Sequence, residues 1–465
     1  MAAVLHKEKI CACTPDAQAS GVQVGMRRST VLGLVPHILL SVDNPTARQQ
    51  HVQEAALALL QYTPNLAFLE QDAIVLEVSG SLSLFKGPRR LLRRIHITLD
   101  NMGIRARAGM APTAQGAWIL ASQTQTRRRR VLRKQSLARC LDPLPVHVLP
   151  AAVPHLEWLS GIACSTLGQL QNLPRSGLQQ RSSPLLMQAI DAAYGRTEQY
   201  FPWFEAPETF SQHYELLQHI EHTNAVLVVA QRLIEQLCGW LHARQLALHA
   251  LVLSLHHEKG RHAQSPTLIP LRLSAASWLV EDFLNVLGEQ LQTVTLKAPV
   301  ISIGLTVSQT APRPAASASL FPEPSQWLRQ EHRLLDLLRA RLGDDHILQP
   351  QPRASYLPER ANGWAPVNDR SPDAATPPRL GAQSRPFWLL PFPVPLVTHG
   401  DHPVYKGSRL RLIQGPERLE TGWWTDTGHE LRDYFVAQDS HGARYWIYRE
   451  RESLDACWFL HGLFA

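Results

Sequence analysis

Residues 72–122 limit the possible folds more than any other stretch, because strand and helix patterns alternate there in short steps. The alternating side chains that follow Asp72 predict a β-strand that ends in a turn at Gly80. The pattern then predicts a helix, a strand and a helix, over residues 88–101, 104–110 and 112–122. This compact succession is typical of an α+β sheet domain with its helices on one face.

The central part of the chain divides into regions of different character. Residues 153–193 show an entirely helical pattern, with short turns predicted at Gly161 and Gly168. A segment rich in proline and aromatic residues follows from Tyr200 and is typical of a linker. A second α+β unit is then predicted from a helix, two strands, a helix and a strand, over residues 223–245, 247–258, 270–275, 277–291 and 300–308.

Beyond residue 308 the sequence predicts a helix, linkers and a small ordered module. The helix is predicted over residues 325–342, and the proline-rich residues 350–386 are expected to be flexible. The last 80 residues are strand-like and hold five of the twelve tryptophans, so we expect them to fold rather than to form a disordered tail. The length of 465 residues fits two to four domains of about 100–200 residues each.

Basic residues are concentrated in one part of the chain. Between Lys86 and Lys134 there are thirteen Lys and Arg residues and one acid, Asp100, so the local net charge is +12 against +7 for the whole chain. This concentration favours a polyanionic partner. Its densest part is a run of four arginines, Arg127, Arg128, Arg129 and Arg130. We expect the run to bind phosphates with an affinity that falls steeply with salt; a solvated loop is the alternative.

Residues 156–178 have the pattern of a helix-hairpin-helix. A first helix ends in a turn at Gly161, and a second helix is predicted to start at Ser165 or Thr166, next to Gly168. Unpaired backbone N–H groups and the dipole at such a helix start favour a bound phosphate, in a contact that is independent of base sequence. An ordinary αα-hairpin is the alternative.

The sequence disfavours several classes of function. The six cysteines are scattered, with no CxxC pair and no signal peptide ahead of them, which indicates neither a disulfide framework nor a zinc site and fits a reducing cytoplasm. No GxxxxGKS/T motif is present, so ATP hydrolysis by a P-loop mechanism is not expected. No run of about 18 apolar residues is present, so we expect no membrane partner and a cytoplasmic, nucleoid-associated protein.

Together these segments resemble the Y-family DNA polymerases of the UmuC/DinB superfamily, and more closely the ImuB family within it. The resemblance covers nearly the whole chain. It is carried in the fingers by SGVQVGM, and in the palm by DAIVLEVSGSLSLFKG and IRARAGMAPTAQGAWILA. It continues in the thumb with LSGIACSTLGQLQNLPRSGL, in the little finger with ARQLALHALVLSLHHE, and in the C-terminal part with GPERLETGWW, RDYFVAQ, ARYWIYRERE and WFLHGLFA.

The resemblance implies a fold and a domain order. The fold is a multi-domain α+β architecture of the right-hand polymerase type, with a palm that lacks its first strand, fingers, a helix-hairpin-helix thumb, a little finger and a C-terminal β-rich module. The implied palm comprises residues 1–10 and 51–135, the fingers 11–50, the thumb 136–200 and the little finger 208–308. A helix with proline-rich linkers follows over residues 309–386, and a partner-binding module over residues 387–465.

The resemblance also implies a test of catalytic competence. An active member of the family holds two Mg²⁺ ions with an Asp on the first palm strand and an adjacent Asp–Glu pair; the ions lower the pKa of the attacking 3′-hydroxyl and neutralise the triphosphate. Asp72 matches the Asp of that pair, but Ala73 stands where the Glu is expected, and the first strand is not present. Glu77 matches an acid that is not a metal ligand. We therefore expect an inactive palm, with Asp72 and Glu77 vestigial and no cofactor.

Two alternatives remain open. One is an active translesion polymerase with a misassigned start codon, whose first strand lies upstream and whose Mg²⁺ is held by Asp72 and Glu77. The other is a general DNA-binding protein that has no polymerase partner. Primer extension separates the first alternative from the inactive palm.

A clamp-binding peptide is a further feature that the resemblance implies. The candidate is SASLF, in which Leu320 and Phe321 would fill the hydrophobic pocket of a sliding clamp. Ser317 stands where the family usually has Gln, which removes a side-chain hydrogen bond and weakens the expected contact. A linker without a clamp-binding role is the alternative.

The leading hypothesis is a non-catalytic scaffold for translesion synthesis in damage-induced mutagenesis. It would bind primer-template DNA through the thumb hairpin and the little finger. Its C-terminal region would recruit an ImuA-like RecA-fold protein and an error-prone C-family polymerase, two partners that the resemblance alone implies. The residues expected to bind these partners are Trp423, Trp424, Trp446 and Trp458.

Overall fold

The computed structural model describes the chain except for residues 70–71, 124–128, 259–263, 297, 315–323, 354, 368–384, 422–429, 452–456 and 465. The chain forms two compact units, Met1–Leu337 and Leu338–Ala465. All six cysteines are free thiols. Within the described residues, every helix is too short or too polar to cross a membrane.

A three-stranded sheet with two short helices forms the start of the first unit. Its elements are β1 (Ala2–His6), β2 (Lys9–Cys13), α1 (Pro15–Ala19), α2 (Arg28–Leu34) and β3 (Leu39–Val42). The strand order is β2-β1-β3, with β1 and β2 antiparallel and β3 parallel to β1. Alternate strand residues such as Ala3 and Leu5 are buried and pack with Val31 of α2 in a small core.

Three helices and a β-hairpin follow. They are α3 (Pro45–Leu59), β4 (Leu66–Leu69), β5 (Ala73–Leu76), α4 (Pro88–Asn101) and α5 (Ala114–Ser122). Asn44 starts α3 because its side chain accepts hydrogen bonds from the N–H groups of Thr46 and Ala47, both at 3.1 Å. β4 and β5 pair antiparallel. α4 buries Leu91 and Ile95 and leaves its arginines on the solvent side, as the sequence predicts.

The strand predicted over residues 104–110 is wrong. In the described part of this segment only Met110 pairs with another strand-like residue, in an isolated bridge with Arg130. Gly109 lies so close to α5 that a Cβ atom there would be 2.2 Å from the carbonyl oxygen of Ala117. The segment is therefore held against a helix and has no neighbouring strand to complete a ladder, although its side chains alternate.

Residues 134–194 are mainly helical, which confirms the helical pattern predicted over residues 153–193 and extends it to α6. The helices are α6 (Lys134–Leu141), α7 (Leu156–Gly161), α8 (Leu167–Gln171), α9 (Arg175–Arg181) and α10 (Pro184–Tyr194). The turn predicted at Gly168 is wrong, because this residue lies inside α8. A Cβ atom at Gly168 would be 2.9 Å from the Cβ of Asp142, so the glycine permits close packing. The turn between α7 and α8 instead contains Ala163, which has a φ of 56°.

The second α+β part of the first unit is a four-stranded sheet with two helices. Its elements are β6 (Ser211–Ile220), α11 (Thr223–Arg244), β7 (Leu246–His257), β8 (Thr267–Ser277), α12 (Val280–Thr293) and β9 (Val300–Pro312). The strand order is β6-β9-β7-β8, and every neighbouring pair is antiparallel. We call residues 211–312 the sheet domain.

The sequence-based prediction lacks β6, although exposed and half-buried residues alternate from Ser211 to Leu216. The strand is completed by residues far along the chain, as in the pairing of Tyr214 with Ile303 of β9. A pattern this short, directly after a proline-rich segment, does not by itself indicate a partner strand.

Helix α13 (Pro324–Leu342) confirms the helix predicted over residues 325–342. It packs against the sheet domain with polar residues. The buried carboxylate of Asp336 accepts hydrogen bonds from the backbone N–H and the hydroxyl of Ser274, at 2.9 and 2.6 Å. Arg333 forms an ion pair with Asp282 at the start of α12. These contacts fix the orientation of α13.

The second unit is the β-rich module that the sequence predicts. Its strands are β10 (Leu348–Pro352), β11 (Asn362–Pro366), β12 (Trp388–His399), β13 (His402–Tyr405), β14 (Ser408–Arg409), β15 (Arg411–Thr421), β16 (Glu430–Gln438), β17 (Arg444–Glu450) and β18 (Trp458–Leu463). Seven of them form a sheet in the order β14-β13-β12-β18-β17-β16-β15. β10 and β11 form an antiparallel hairpin, so the expectation that residues 350–386 are only linkers is wrong for this part.

Aromatic rings and the buried side chain of Arg432 form the core of this module. Tyr434 stacks on Trp446 with ring centroids 4.1 Å apart, and the Tyr434 hydroxyl lies 2.8 Å from Nδ1 of His461. Burial lowers the pKa of His461, which favours the neutral imidazole. Arg432 donates to Glu359 at 3.0 Å and to Tyr434 at 3.2 Å. Glu359 precedes β11, so these bonds connect the hairpin region to the seven-stranded sheet.

Candidate functional site

A cleft of about 1410 Å³ in the first unit brings together the predicted metal ligands and several basic residues. Its walls come from α3, β5, α5, residues 104–114 and residues 192–203. The basic side chains on the walls include Arg48, Arg105, Arg107 and Lys134, and the acidic ones are Asp43, Asp72, Glu77 and Glu198. The cleft therefore places carboxylates and basic side chains on the walls of one cavity.

Asp72 is paired with a cationic side chain. It lies in the turn before β5, with a φ of 59°. Its Oδ2 atom is 3.4 Å from Nε of Arg48 on α3, and Nη2 of the same guanidinium is 3.6 Å from Oδ2 of Asp43. Asp43 also faces Nδ1 of His6 at 3.5 Å. Arg48 therefore lies between two carboxylates, and the side chains of Arg48 and Asp72 are both about half exposed.

Neither Ala73 nor Glu77 supplies the missing metal ligand. Ala73 is the first residue of β5 and has no donor atom in its side chain. Glu77 is an exposed residue beyond the other end of β5, and its Oε1 atom accepts a hydrogen bond from the N–H of Ser79 at 2.9 Å. The two positions are thus separated by the length of the strand, roughly 13 Å at about 3.3 Å per residue.

These residues do not fit the two Mg²⁺ ions of an active polymerase. Such a site holds two ions about 4 Å apart and needs several carboxylates that coordinate them directly. In the part of the chain that the structure describes, no three His, Cys, Asp or Glu side chains come together in a way that could hold a metal ion. The carboxylate of Asp72 already interacts with Arg48.

The structure describes only part of the arginine run at residues 127–130. Arg127 and Arg128 lie outside the described residues. Arg129 and Arg130 are half-buried, and the carbonyl of Arg129 accepts a hydrogen bond from the N–H of Met110 at 2.8 Å. These two residues therefore lie against the folded chain and do not form the solvated loop that was the alternative. Phosphate binding by the run stays a prediction.

The N–H groups at the start of α8 are not free. Oε1 of Gln169 accepts from the N–H of Thr166 at 3.2 Å, and Oγ1 of Thr166 accepts from the N–H of Gln169 at 3.3 Å, which is a capping box. Oε1 of Gln169 also accepts from the N–H of Ser165 at 2.8 Å. The N–H groups of Leu167 and Gly168 donate to backbone carbonyls of the segment after α6, at 2.8 and 3.0 Å. The expectation of unpaired N–H groups here is therefore wrong. Phosphate binding at the hairpin, including Gly161, stays a prediction.

The predicted partner-binding residues divide into buried and undescribed ones. Ser317, Leu320 and Phe321 of the clamp peptide, and Trp423 and Trp424, lie outside the described residues. Trp446 and Trp458 are buried, with 2% and 6% of their surface exposed. Assigning these two tryptophans to a partner surface is therefore wrong, because their strands direct them into the core of the module.

Other aromatic residues of the same module are exposed. Phe387, Trp388 and Phe392 have 85%, 62% and 84% of their surface exposed. They lie around an irregular part of β12, where the pairing with β18 shifts between Leu389 and Val394. Prolines on both sides of Phe392 keep this part of the strand from pairing regularly. The prolines in PFWLLPFPVPLV are the sequence signal for such an exposed site.

The two units differ in net charge. Residues 338–465 contain fifteen Lys and Arg and fifteen Asp and Glu, a net charge of zero. The whole chain has 46 and 39, so residues 1–337 have 31 and 24, a net charge of +7. The first unit therefore attracts polyanions, whereas the second has a neutral charge balance and exposed aromatic residues.

The N-terminal part of the chain matches a protein family. Residues 2–122 match the IMS family, described as the impB/mucB/samB family. This match covers the three-stranded sheet, helices α1 to α5 and most of the residues that line the cleft. The match is to a polymerase-related family, and the mixed α+β fold class expected from the sequence is confirmed.

Within this class the chain is similar to ImuB proteins. It is 25% identical over 484 residues to Protein ImuB of Caulobacter vibrioides (strain NA1000 / CB15N), which covers 96% of this chain and 100% of that protein. It is also 27% identical over 189 residues to DNA polymerase IV of Dehalococcoides mccartyi (strain CBDB1), which covers 40% of this chain and 48% of that protein. The chain is therefore similar to ImuB over nearly its whole length and to DNA polymerase IV over less than half of it.

Solved structures of polymerases are among the structural matches. A Dbh ternary complex matches at 13% identity and a TM-score of 0.38, over 66% of this chain and 90% of that chain. DinB from Sulfolobus solfataricus matches at 13% identity and a TM-score of 0.37, with the same coverage.

Proposed function

We propose that the chain is a non-catalytic polymerase homologue that binds primer-template DNA and serves as a scaffold for translesion synthesis after DNA damage. The observation that carries this proposal is the state of the cleft. Asp72 pairs with Arg48, and Ala73 stands where the second metal ligand is expected. The cleft would therefore not hold a pair of metal ions beside a bound nucleotide. A fold that keeps the cleft without its metal ligands is suited to binding rather than to nucleotidyl transfer.

We assign the subdomains of a polymerase to the elements as follows. The palm and fingers comprise β1 to β5 and α1 to α5, the thumb comprises α6 to α10, and the little finger is the sheet domain. The assignment is supported by the order of the elements and by the family match over residues 2–122. The second unit is then an addition to the polymerase part.

DNA binding is assigned to the first unit because of its charge. The excess of +7 lies entirely in residues 1–337, and Arg105 and Arg107 are exposed on the cleft wall. Each phosphate that these side chains neutralise releases condensed counterions from DNA. The contacts are independent of base sequence, as a scaffold for varied lesions requires.

Partner recruitment is assigned to the second unit. Phe387, Trp388 and Phe392 are large, rigid aromatic residues, of the kind that dominates binding energy at protein interfaces. We propose that they contact the RecA-fold protein or the C-family polymerase, in place of the buried Trp446 and Trp458. Sliding-clamp binding through Leu320 and Phe321 is a separate proposal that rests on the sequence.

Salt-dependent DNA binding tests the proposal. We expect the double variant Arg105→Ala/Arg107→Ala to bind labelled primer-template DNA about tenfold more weakly at about 0.1 M salt, and to lower the magnitude of the log–log salt slope by about two, because two phosphate contacts are lost. Fluorescence anisotropy over a salt series measures both quantities.

The matched control removes two exposed arginines from the neutral second unit, Arg409→Ala/Arg411→Ala. We expect this variant to keep the affinity and the slope of the unmodified chain. Equal losses in the two double variants would show that binding follows total charge, and the assignment of DNA to the cleft would then be wrong.

A further inference from the structure

Helix α11 connects the sheet domain to the helices α3 and α4 through an exceptionally close contact. The helix contacts its own sheet and also α3 and α4. At Gly239 the two backbones approach so closely that a Cβ atom would be 1.9 Å from the carbonyl oxygen of Leu57. Only glycine permits this approach.

A buried ion pair crosses the contact. Nη2 of Arg232 on α11 is 2.7 Å from Oε2 of Glu54 on α3, and their side chains are 13% and 7% exposed. Arg232 also donates to the carbonyl of Met102 after α4, at 3.0 Å. Its guanidinium lies 4.5 Å from the ring centroid of Tyr214 on β6. One side chain therefore connects α3, the end of α4 and the sheet.

A second buried acid, Glu235, lies on α11 and accepts hydrogen bonds from neutral donors in the region of α3 and α4. Glu235 is 3% exposed. Its Oε1 accepts from Nδ2 of Asn101 at 2.7 Å. Its Oε2 accepts from Oγ1 of Thr98 and Nε2 of Gln61, at 3.3 and 3.4 Å. All three donors lie in or directly after α3 and α4, so each bond depends on the position of α11 relative to those helices.

The contact is rich in polar side chains, as interfaces between domains are, although it lies within one compact unit. Such interfaces are more polar than a domain core. In the described residues, neither polar atom of the buried Gln236 side chain has a hydrogen-bond partner. An interface selected only for stability would place an apolar residue there, since a buried ion pair gains little over apolar packing. Directional polar bonds instead specify one relative orientation.

We propose that Arg232, Glu54 and Glu235 form an interdomain lock that fixes the orientation of the sheet domain on α3 and α4. The lock does not hold either domain folded. It selects one angle between them, so that the outer face of the sheet and the cleft keep a constant relation. The proposal does not depend on DNA binding and can fail or hold independently of it.

Hydrogen exchange of the full-length chain tests the lock. In Glu235→Gln the amide cannot accept from three donors at once, and Arg232→Glu places two acids together. We expect both variants to exchange about tenfold faster in residues 54–60 and 233–241, because the contact opens, while β7 and β9 keep their protection. The charge swap Glu54→Arg/Arg232→Glu should restore part of the protection that Arg232→Glu loses, because it re-forms the ion pair but not the bond to the Met102 carbonyl.

The matched control is Glu215→Gln, the same substitution at an exposed residue of β6. It should leave exchange unchanged throughout. Unchanged exchange at the contact in Glu235→Gln and Arg232→Glu would overturn the lock. Parallel loss of protection in β7 and β9 would also overturn it, because the two domains would then be one cooperative core. Failure of the swap to recover protection would show that the pair has no orienting role.

Discussion

Replacing Trp446 by alanine is expected to destabilise the second unit by about 3–5 kcal/mol, which is the usual cost of removing a buried tryptophan. Trp446 is 2% exposed and stacks on Tyr434 and His461, with centroid distances of 4.1 and 5.7 Å. The loss would leave a cavity beside the buried Arg432 network. Chemical denaturation of the full-length chain measures the change in the free energy of unfolding, and hydrogen exchange in β16 to β18 assigns that change to the second unit.

Trp388→Ala is the matched control for this prediction. Trp388 belongs to the same unit but is 62% exposed, so its removal should change stability by less than about 0.5 kcal/mol. If the proposed partner surface is correct, the same variant should lose copurification with the RecA-fold partner. A stable Trp446→Ala together with an unfolded Trp388→Ala would reverse the assignment of core and surface in this module.

The second large effect is expected at Gly239. We expect Gly239→Ala to destabilise the first unit by about 2–3 kcal/mol, although alanine is the better helix former, because the new Cβ atom must push α11 away from α3. A Cβ atom at residue 239 would lie 1.9 Å from the carbonyl oxygen of Leu57 and 2.9 Å from the Cα of Ala58. Thermal unfolding of the full-length variant gives the change.

Gly288 supplies the control for Gly239. It is also a helix-interior glycine of the sheet domain, but a Cβ atom there would meet only Cδ2 of Leu227, at an ordinary 3.7 Å. Gly288→Ala should therefore be neutral or stabilise by about 0.5–1 kcal/mol. Equal stability of Gly239→Ala and Gly288→Ala would contradict the close backbone contact between α11 and α3 at Gly239.

Much of the fold could be predicted from the sequence, because its helices and long strands have strong periodic patterns. α4 and α11 begin and end within about one residue of the prediction. α4 has an apolar stripe, and α11 is a long, mostly apolar segment that is buried on all sides over residues 233–241. β6 and residues 104–110 could not be assigned, because pairing depends on whether another strand lies alongside. No local pattern contains that information.

The candidate site divides in the same way. The replacement of a metal ligand by Ala73 is visible in the sequence, because it depends on residue type alone. The pairing of Asp72 with Arg48 is not visible, because these residues meet only after α3 folds beside β5. The engaged N–H groups at Ser165 and Gly168 and the burial of Trp446 likewise depend on packing.

Nucleotide incorporation on an undamaged primer-template is the most direct test of the central claim that the chain binds DNA without catalysing polymerisation. With Mg²⁺ or Mn²⁺ and all four deoxynucleoside triphosphates, we expect the protein to bind the DNA but to leave the primer unextended, and Asp72→Ala to behave identically. Primer extension by the unmodified protein that Asp72→Ala abolishes would contradict the account.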